Sequence, residues 1–302
     1  MPSLRIGSRG SALAMWQAER VQALLAARGV SSTITVIRTS GDEGSPRPGN
    51  YVEGKGLFTK EIEDALLENR IDAAVHSLKD LGAVLPEGLE LAAFPEREDA
   101  RDALVTRASG GLDSLARGAR VGTSSLRRIA ALLAERPDLD IVPLRGNVPT
   151  RVGRVERGDV EGVVLALAGL KRLGLAGTAV PLDPTVFVPA PGQGALGIQT
   201  RSDDGATNGA VRALDNLEIR IAVEAERAAM AELEGGCRVP LGITCLPGNG
   251  GRMLHLRVYA PDGTKSLSSR VVLDERNPRE SGLKGARELL AAGARALMGG
   301  VR

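Results

Sequence analysis

Three features of the sequence predict an α/β protein closed by a small α+β domain. At 302 residues, the chain is too long for one comfortable core. Its first two hundred residues repeat a short β-rich run, a polar turn and a helix, the alternation that builds layered α/β sheets. Beyond FVPAPGQGALGIQ the pattern gives way to one long helix, three strand-like runs and a last helix.

Taken in order, LRIG leads through SRGS into a helix whose apolar side carries Leu13, Trp16, Val21 and Leu24, and TITVIRT (33–39) reads as a strand. GDEGSPRPGNYVEGKG (41–56) follows, rich in glycine, proline and charge, a loop of a length usually reserved for function. FTKEIEDALLENR reads as a helix, IDAAVHSL as a strand and KDLG as a turn. The theme restarts near residue 100. ALVTR and ARVGT read as strands, SSLRRIAALLAER as a helix with Leu126, Ile129, Ala130 and Leu133 on one side, and DIVPLRG as a strand. VPTRVGRVERG reads as a helix starting near Pro149, where proline is tolerated. GVVLALAG is almost continuously apolar, as a central parallel strand covered on both faces would be. Residues 216–233 form the long helix, stopped at Gly235-Gly236. LGITCL, MLHLRVYA and SLSSRVVL are then strands, and LKGARELLAAGARALM a helix.

Composition excludes several classes of function. The net charge of +2 supplies no field that would draw the whole chain onto nucleic acid, and 2% aromatic content leaves few stacking platforms. No run reaches membrane-spanning length, and the N-terminal segment has no signal-peptide core, so a cytoplasmic protein without membrane or nucleic-acid partners is expected. With His76 and His255 as its only histidines, the chain offers no His-based metal site or Ser–His triad, and no metal is expected. GQGALG (192–197) matches a dinucleotide fingerprint, but prolines precede it and a strand rather than a helix follows.

What recurs is cationic and hydroxyl side chains just after strands: Arg9 and Ser11; Lys79 and Asp80; Thr123, Ser124, Ser125, Arg127 and Arg128; Arg145, Asn147, Thr150 and Arg151. Ligands of α/β sheets bind beyond the carboxyl ends of the strands, where helix N-termini expose backbone N–H groups. Arginines at that edge suit a ligand with several carboxylates or phosphates. Asp80 is the odd member, either a cap or ion-pair partner, or a carboxylate kept ionised by surrounding cations to stabilise a cation formed in reaction. Cys237, in ELEGGCRVPLG (232–242), stands behind two glycines and before Arg238, and only Cys245 shares its residue type. It is either a small buried hydrophobe at a helix end or a point of attachment.

In these residues the chain resembles the porphobilinogen deaminase family. The resemblance runs in order through LRIGSRGSALAMWQA, GKGLFTKEIEDALLENRIDAAVHSLKDL, EREDARDAL, VGTSSLRR, LRGNVPTR, LAGLKRLGL, PGQGALGI and LEGGCRVPLG. It implies two α/β lobes like periplasmic binding proteins, residues 1–96 with 195–213 and residues 97–194, with the active cleft between them. An α+β domain over 214–302 would carry the cofactor cysteine. It implies a monomeric transferase that joins four porphobilinogen molecules head to tail into hydroxymethylbilane, releasing ammonia, on a dipyrromethane cofactor held by a thioether. By resemblance Cys237 is the attachment residue and Asp80 the catalytic one. Lys79, Thr123, Ser125, Arg127, Arg128, Arg145 and Gly146 accompany Asp80 at the cofactor. The same resemblance implies that Arg9, Ser11, Gln17, Ser77, Arg145, Arg151 and Arg172 bind substrate, and that Lys55 and Phe58 begin the ordered part after a lid formed by 41–56.

Three departures stand out: Gly82 where proline is usual, which would loosen the turn holding Asp80; Pro149 at a common glycine position; and an unfamiliar loop sequence. The alternative reading is a non-catalytic two-lobed receptor for small anions, which has no need of Cys237 or Asp80. A nucleic-acid or polyphosphate binder is disfavoured by the near-neutral charge.

Overall fold

The computed structural model describes residues 3–39, 59–234 and 240–298. In chain order the elements are β1 (Leu4–Ser8), α1 (Ala12–Ala26), β2 (Ser32–Val36), α2 (Lys60–Leu67), β3 (Ala73–Ser77) and β4 (Leu89–Ala93). Then come β5 (Asp102–Thr106), β6 (Arg120–Gly122), α3 (Leu126–Glu135), β7 (Asp140–Val142), α4 (Val148–Glu156), β8 (Gly162–Ala166), α5 (Leu167–Arg172) and β9 (Ala179–Pro181). The chain ends with β10 (Leu196–Arg201), α6 (Gly205–Arg212), α7 (Leu217–Glu234), β11 (Leu241–Gly248), β12 (Gly251–Tyr259), β13 (Ser266–Val272), α8 (Pro278–Ala291) and α9 (Ala294–Met298).

Local chemistry accounts for the helix starts. The Ser11 hydroxyl accepts a hydrogen bond from the Ala14 N–H at 3.3 Å and caps α1. Asn147 caps α4, its Oδ1 accepting from the Thr150 N–H at 3.0 Å, and Pro149 sits in the first turn, where its missing N–H costs nothing.

The chain forms two compact units, residues 1–98 with 195–220 and residues 99–194 with 221–302. The first holds a five-stranded sheet in the order β2-β1-β3-β10-β4. β1 runs parallel to β2 and β3, and β10 runs antiparallel to β3 and β4. Its core lies on both faces: Leu4, Ile6, Val21, Leu25, Val75 and Ile198 on the α1 side, and Ile62, Leu66, Ile71 and Ala74 on the α2 side.

The second unit holds a sheet in the order β7-β6-β8-β5-β9 and a three-stranded antiparallel sheet, β11-β12-β13. Tyr259 of β12 joins the cluster formed by Leu104, Val121, Leu132 and Val164, and its hydroxyl donates to the Val186 carbonyl at 2.8 Å. The apolar run GVVLA is central as expected, but β5 pairs with it antiparallel. Both large sheets are therefore mixed rather than wholly parallel.

Helix α3 corrects the predicted face. Its buried residues are Arg127, Arg128, Ala130, Ala131 and Leu132, whereas Leu126 is 38% exposed and only Ala130 of the predicted side is buried. Two arginines turn inward because an interior carboxylate receives them.

Candidate active site

In the first unit the site forms at the carboxyl ends of β1 and β3. Buried Leu78 and Leu81 anchor a single 3-10 turn, Leu78–Asp80, which leaves Lys79 half-buried and Asp80 exposed. The Leu81 N–H donates to the Leu78 carbonyl at 3.1 Å, and the Leu78 N–H to the Ala195 carbonyl at 3.0 Å. Gly82 has no left-handed backbone, so the turn does not depend on the glycine found there. Beside Asp80 lies a cavity of about 70 Å³ whose walls include Arg9, Ser11, Gln17, His76 and Ser77. Gln17 is buried, and its Nε2 donates to the Ser77 hydroxyl at 2.7 Å. Arg9 is half-buried at the same wall.

His76 and its partners were not singled out as site residues by sequence reasoning. The imidazole is buried, and its Nε2 lies 3.0 Å from Gln199 Oε1. Desolvation pushes the ring down to about 4, partly opposed by the Gln199 bond, so His76 is neutral near pH 7. Gln199 in turn donates to Glu63 Oε1 at 3.0 Å. Burial raises the Glu63 carboxyl, and that bond opposes the rise. The three residues come from β3, β10 and α2, more than a hundred positions apart at the widest.

In the second unit the turns after β6 and β7 are tied together. The Ser124 hydroxyl donates to the Leu144 carbonyl and accepts from the Leu144 N–H, both at 3.0 Å. Thr123 is buried, its Oγ1 accepting from the Ser125 N–H at 3.2 Å, and Ser125 stands before the first turn of α3. Arg145 is exposed. Gly146 has φ +112°, and a Cβ there would meet Thr150 at 2.9 Å, so this position requires glycine. Arg151 Nε donates to the Gly146 carbonyl at 2.7 Å, and Arg172 Nη2 to the Gly194 carbonyl at 2.9 Å.

Arg127 and Arg128 differ from the solvent-facing cations the sequence suggests. Asp102, wholly buried, accepts from Arg127 Nη1 at 2.7 Å and from Arg128 Nε and Nη2 at 3.1 and 2.8 Å. Gln193 Nε2 adds a fourth bond at 2.9 Å. Burial by itself would raise the Asp102 carboxyl, but the two guanidiniums overcome it and hold the group well below the carboxylate range. Every nitrogen of Arg128 has a protein acceptor, Nη1 reaching the Val164 carbonyl. In Arg127, Asp102 and the Val188 carbonyl both draw on Nη1. The sequence signal for Asp102 was an acid in EREDARDAL with no local mark of burial.

Cys237, its neighbour Arg238, and Lys55 and Phe58 lie outside the described residues. Cys245 is half-buried; its N–H donates to Glu226 Oε1 at 2.8 Å, and its thiol lies 3.7 Å from the Ala222 carbonyl. Gly192 and Gly194 take left-handed backbone and lead into β10, so GQGALG opens a strand. No cluster of three or more His, Cys, Asp or Glu suited to a metal occurs among the described residues. Nor is any helix there long and apolar enough to cross a membrane.

Residues 4–209 match the family model of the porphobilinogen deaminase dipyromethane cofactor binding domain, and residues 220–291 that of the porphobilinogen deaminase C-terminal domain. The chain belongs to the porphobilinogen deaminase family. A family member named porphobilinogen deaminase from Syntrophobacter fumaroxidans is 44% identical over 98% of this chain and 96% of its own. Another, from Nitratidesulfovibrio vulgaris strain Hildenborough, is 46% identical over 97% and 95%. Among solved structures, a periplasmic substrate-binding protein from Coxiella burnetii matches 70% of this chain and 91% of its own at 15% identity and a TM-score of 0.45.

Proposed function

We propose that the chain is a transferase that joins four porphobilinogen molecules head to tail into hydroxymethylbilane, releasing ammonia at each addition, with Asp80 as its catalytic residue. The observation that carries the reading is Asp80 itself, an exposed carboxylate beside a small cavity that Arg9, Ser11 and Gln17 also line, in a member of this family. The family match supports the activity, and the chemistry of each unit supports the assignment of residues.

The donor set suits a dipyrromethane, whose acetate and propionate groups make it a polyanion. Lys79, Thr123, Ser125, Arg127, Arg145 and Gly146 would hold it, with Asp80 toward its pyrrole nitrogens and Cys237 as the thioether residue. Arg127 has Nε and Nη2 to offer beyond its Nη1 bonds. Arg128, whose nitrogens already meet protein acceptors, would contribute charge rather than a direct bond. Gly146 and the start of α3 would offer backbone N–H groups to one of its carboxylates. When bound, the group supplies a nucleophilic pyrrole carbon on which the product is built.

The chain's own part is electrostatic and positional. Asp80 would lower the energy of positive charge that develops on substrate as its amine leaves. At ~4 Å and an effective dielectric of ~20, that attraction is about 4 kcal/mol before screening. Arg9, Ser11, Gln17, Ser77, Arg151 and Arg172 would orient the substrate carboxylates, as guanidinium pairs do bidentately. The experiment is direct: purified protein given porphobilinogen should release ammonia and form hydroxymethylbilane, and absence of both would refute the reading.

A further inference from the structure

The first unit contains a polar chain that this mechanism leaves unused. His76, Gln199 and Glu63 lie on the α2 side of the sheet, amid Ile62, Leu66, Ile71 and Ala74. His76 and Gln199 are diagonal neighbours on one face, since His76 pairs with Gly197 and Gln199 with Ala74. A polar group buried there costs stability unless satisfied, and the chain of bonds satisfies it.

The bonds also set the protons. Glu63 can only accept as a carboxylate, so the Gln199 NH₂ points to it and Gln199 Oε1 points to His76. His76 therefore carries its hydrogen on Nε2 and keeps Nδ1 as a bare acceptor. His76 is one of the residues that line the cavity of about 70 Å³ beside Asp80, with Ser77 and Gln17. That volume suits one or two water-sized molecules. Ammonia is of that size, and it is the group the reaction expels.

We propose that His76, held as a neutral acceptor by Gln199 and Glu63, binds the aminomethyl group of the substrate, and that the cavity it shares with Asp80 receives the departing ammonia. This rests on the function proposed above. As the C–N bond of –CH₂–NH₃⁺ breaks, its electron pair leaves on nitrogen, which keeps all three hydrogens. The positive charge stays on the pyrrole-methylene fragment, where Asp80 stabilises it. Neutral His76 and the Asp80 carboxylate accept N–H bonds from the amine before and after cleavage. A protonated His76 would repel the ammonium and offer no lone pair.

Charged groups near His76 come from several elements: Arg9 after β1, Asp80 after β3, and Glu63, through Gln199, from α2. Helix α1 and its cap contribute only uncharged residues to the cavity wall, Ser11, Leu13, Ala14 and Gln17.

The test transposes the charge at constant composition. In the full-length, cofactor-loaded double variant Glu63→Gln with Gln199→Glu, a carboxylate faces His76 directly and raises its pKa. NMR titration of the ring should show His76 protonated at about pH 6, where turnover should fall roughly tenfold below wild type and recover as the ring loses its proton. Ammonium chloride, compared with potassium chloride at equal ionic strength, should inhibit wild type in competition with porphobilinogen and inhibit the variant less at that pH. Turnover and ammonium inhibition that follow wild type while His76 is charged would overturn the proposal. If the double variant does not fold or His76 stays neutral in it, His76→Phe decides. Loss of roughly tenfold in kcat per loaded enzyme, with loss of ammonium inhibition, supports the role, and unchanged values for both refute it. Should wild type itself release no ammonia from porphobilinogen, the proposed function fails rather than the role of His76 within it.

Discussion

Replacing Asp102 by Asn probes the buried network that orients the two neighbouring arginines. Asp102 Oδ1 accepts three bonds, from Arg128 Nε, Arg128 Nη2 and Gln193 Nε2, and Oδ2 accepts one from Arg127 Nη1. An Asn keeps one oxygen, which best replaces Oδ1, and so turns its NH₂ toward Arg127. Donor then faces donor, and two arginines that are 5% and 6% exposed lose their counter-charge. Breaking a buried pair by removing one partner costs about 3–5 kcal/mol. In a chain of this size, that lowers Tm by roughly 6 °C or more. Urea unfolding of Asp102→Asn beside wild type measures it directly. A loss below about 1 kcal/mol would refute the reasoning, because it would make the network no stronger than a surface pair.

The other predictions test separate residues. Asp80→Asn should keep its Tm, since the side chain is exposed, yet lose turnover by about two orders of magnitude or more; near-normal turnover in a steady-state assay would remove the catalytic assignment. Arg145→Leu should leave Tm unchanged and impair cofactor assembly, whereas Arg127→Leu should lower Tm because it leaves Asp102 short of a partner. Thermal melts paired with intact masses separate the two, and equal melting losses would contradict the contrast. Burial holds His76 near 4 against an ordinary 6.5, so below 6.5 the unfolded chain takes up a proton that the folded chain refuses. Stability present above pH 6.5 should therefore fall by roughly 3 kcal/mol as pH drops toward 4, beyond the losses from other groups. His76→Phe should flatten that slope in urea titrations, and an unchanged slope would count against it.

Much of this architecture was legible because it is local. Strand–turn–helix alternation, the helix start near Pro149 and the apolar run of β8 each carry their signal within a few residues. Strand direction does not: β5 and β10 read like their neighbours, and only pairing with β8 and β3 shows that they run antiparallel. The same limit governs the site. Asp80 and the cations stand out as residue types gathered after strands. The inward turn of Arg127 and Arg128 depends on Asp102, some 25 residues away, and on Gln193, about 90 positions from Asp102. A helical pattern that treats arginine as polar places the wrong face of α3 inside. His76 looked inert for the same reason, since Gln199 lies 123 positions away.

The central claim is that this chain builds its product on a pyrrole primer anchored at Cys237. Intact mass of the purified protein under denaturing conditions, followed by peptide mapping, tests it most directly. The account predicts excess mass equal to two linked pyrrole units on the Cys237 peptide, retained in Cys245→Ser and lost in Cys237→Ser. An unmodified mass that stays unmodified after porphobilinogen is added would contradict it, and an adduct on Cys245 would move the attachment site.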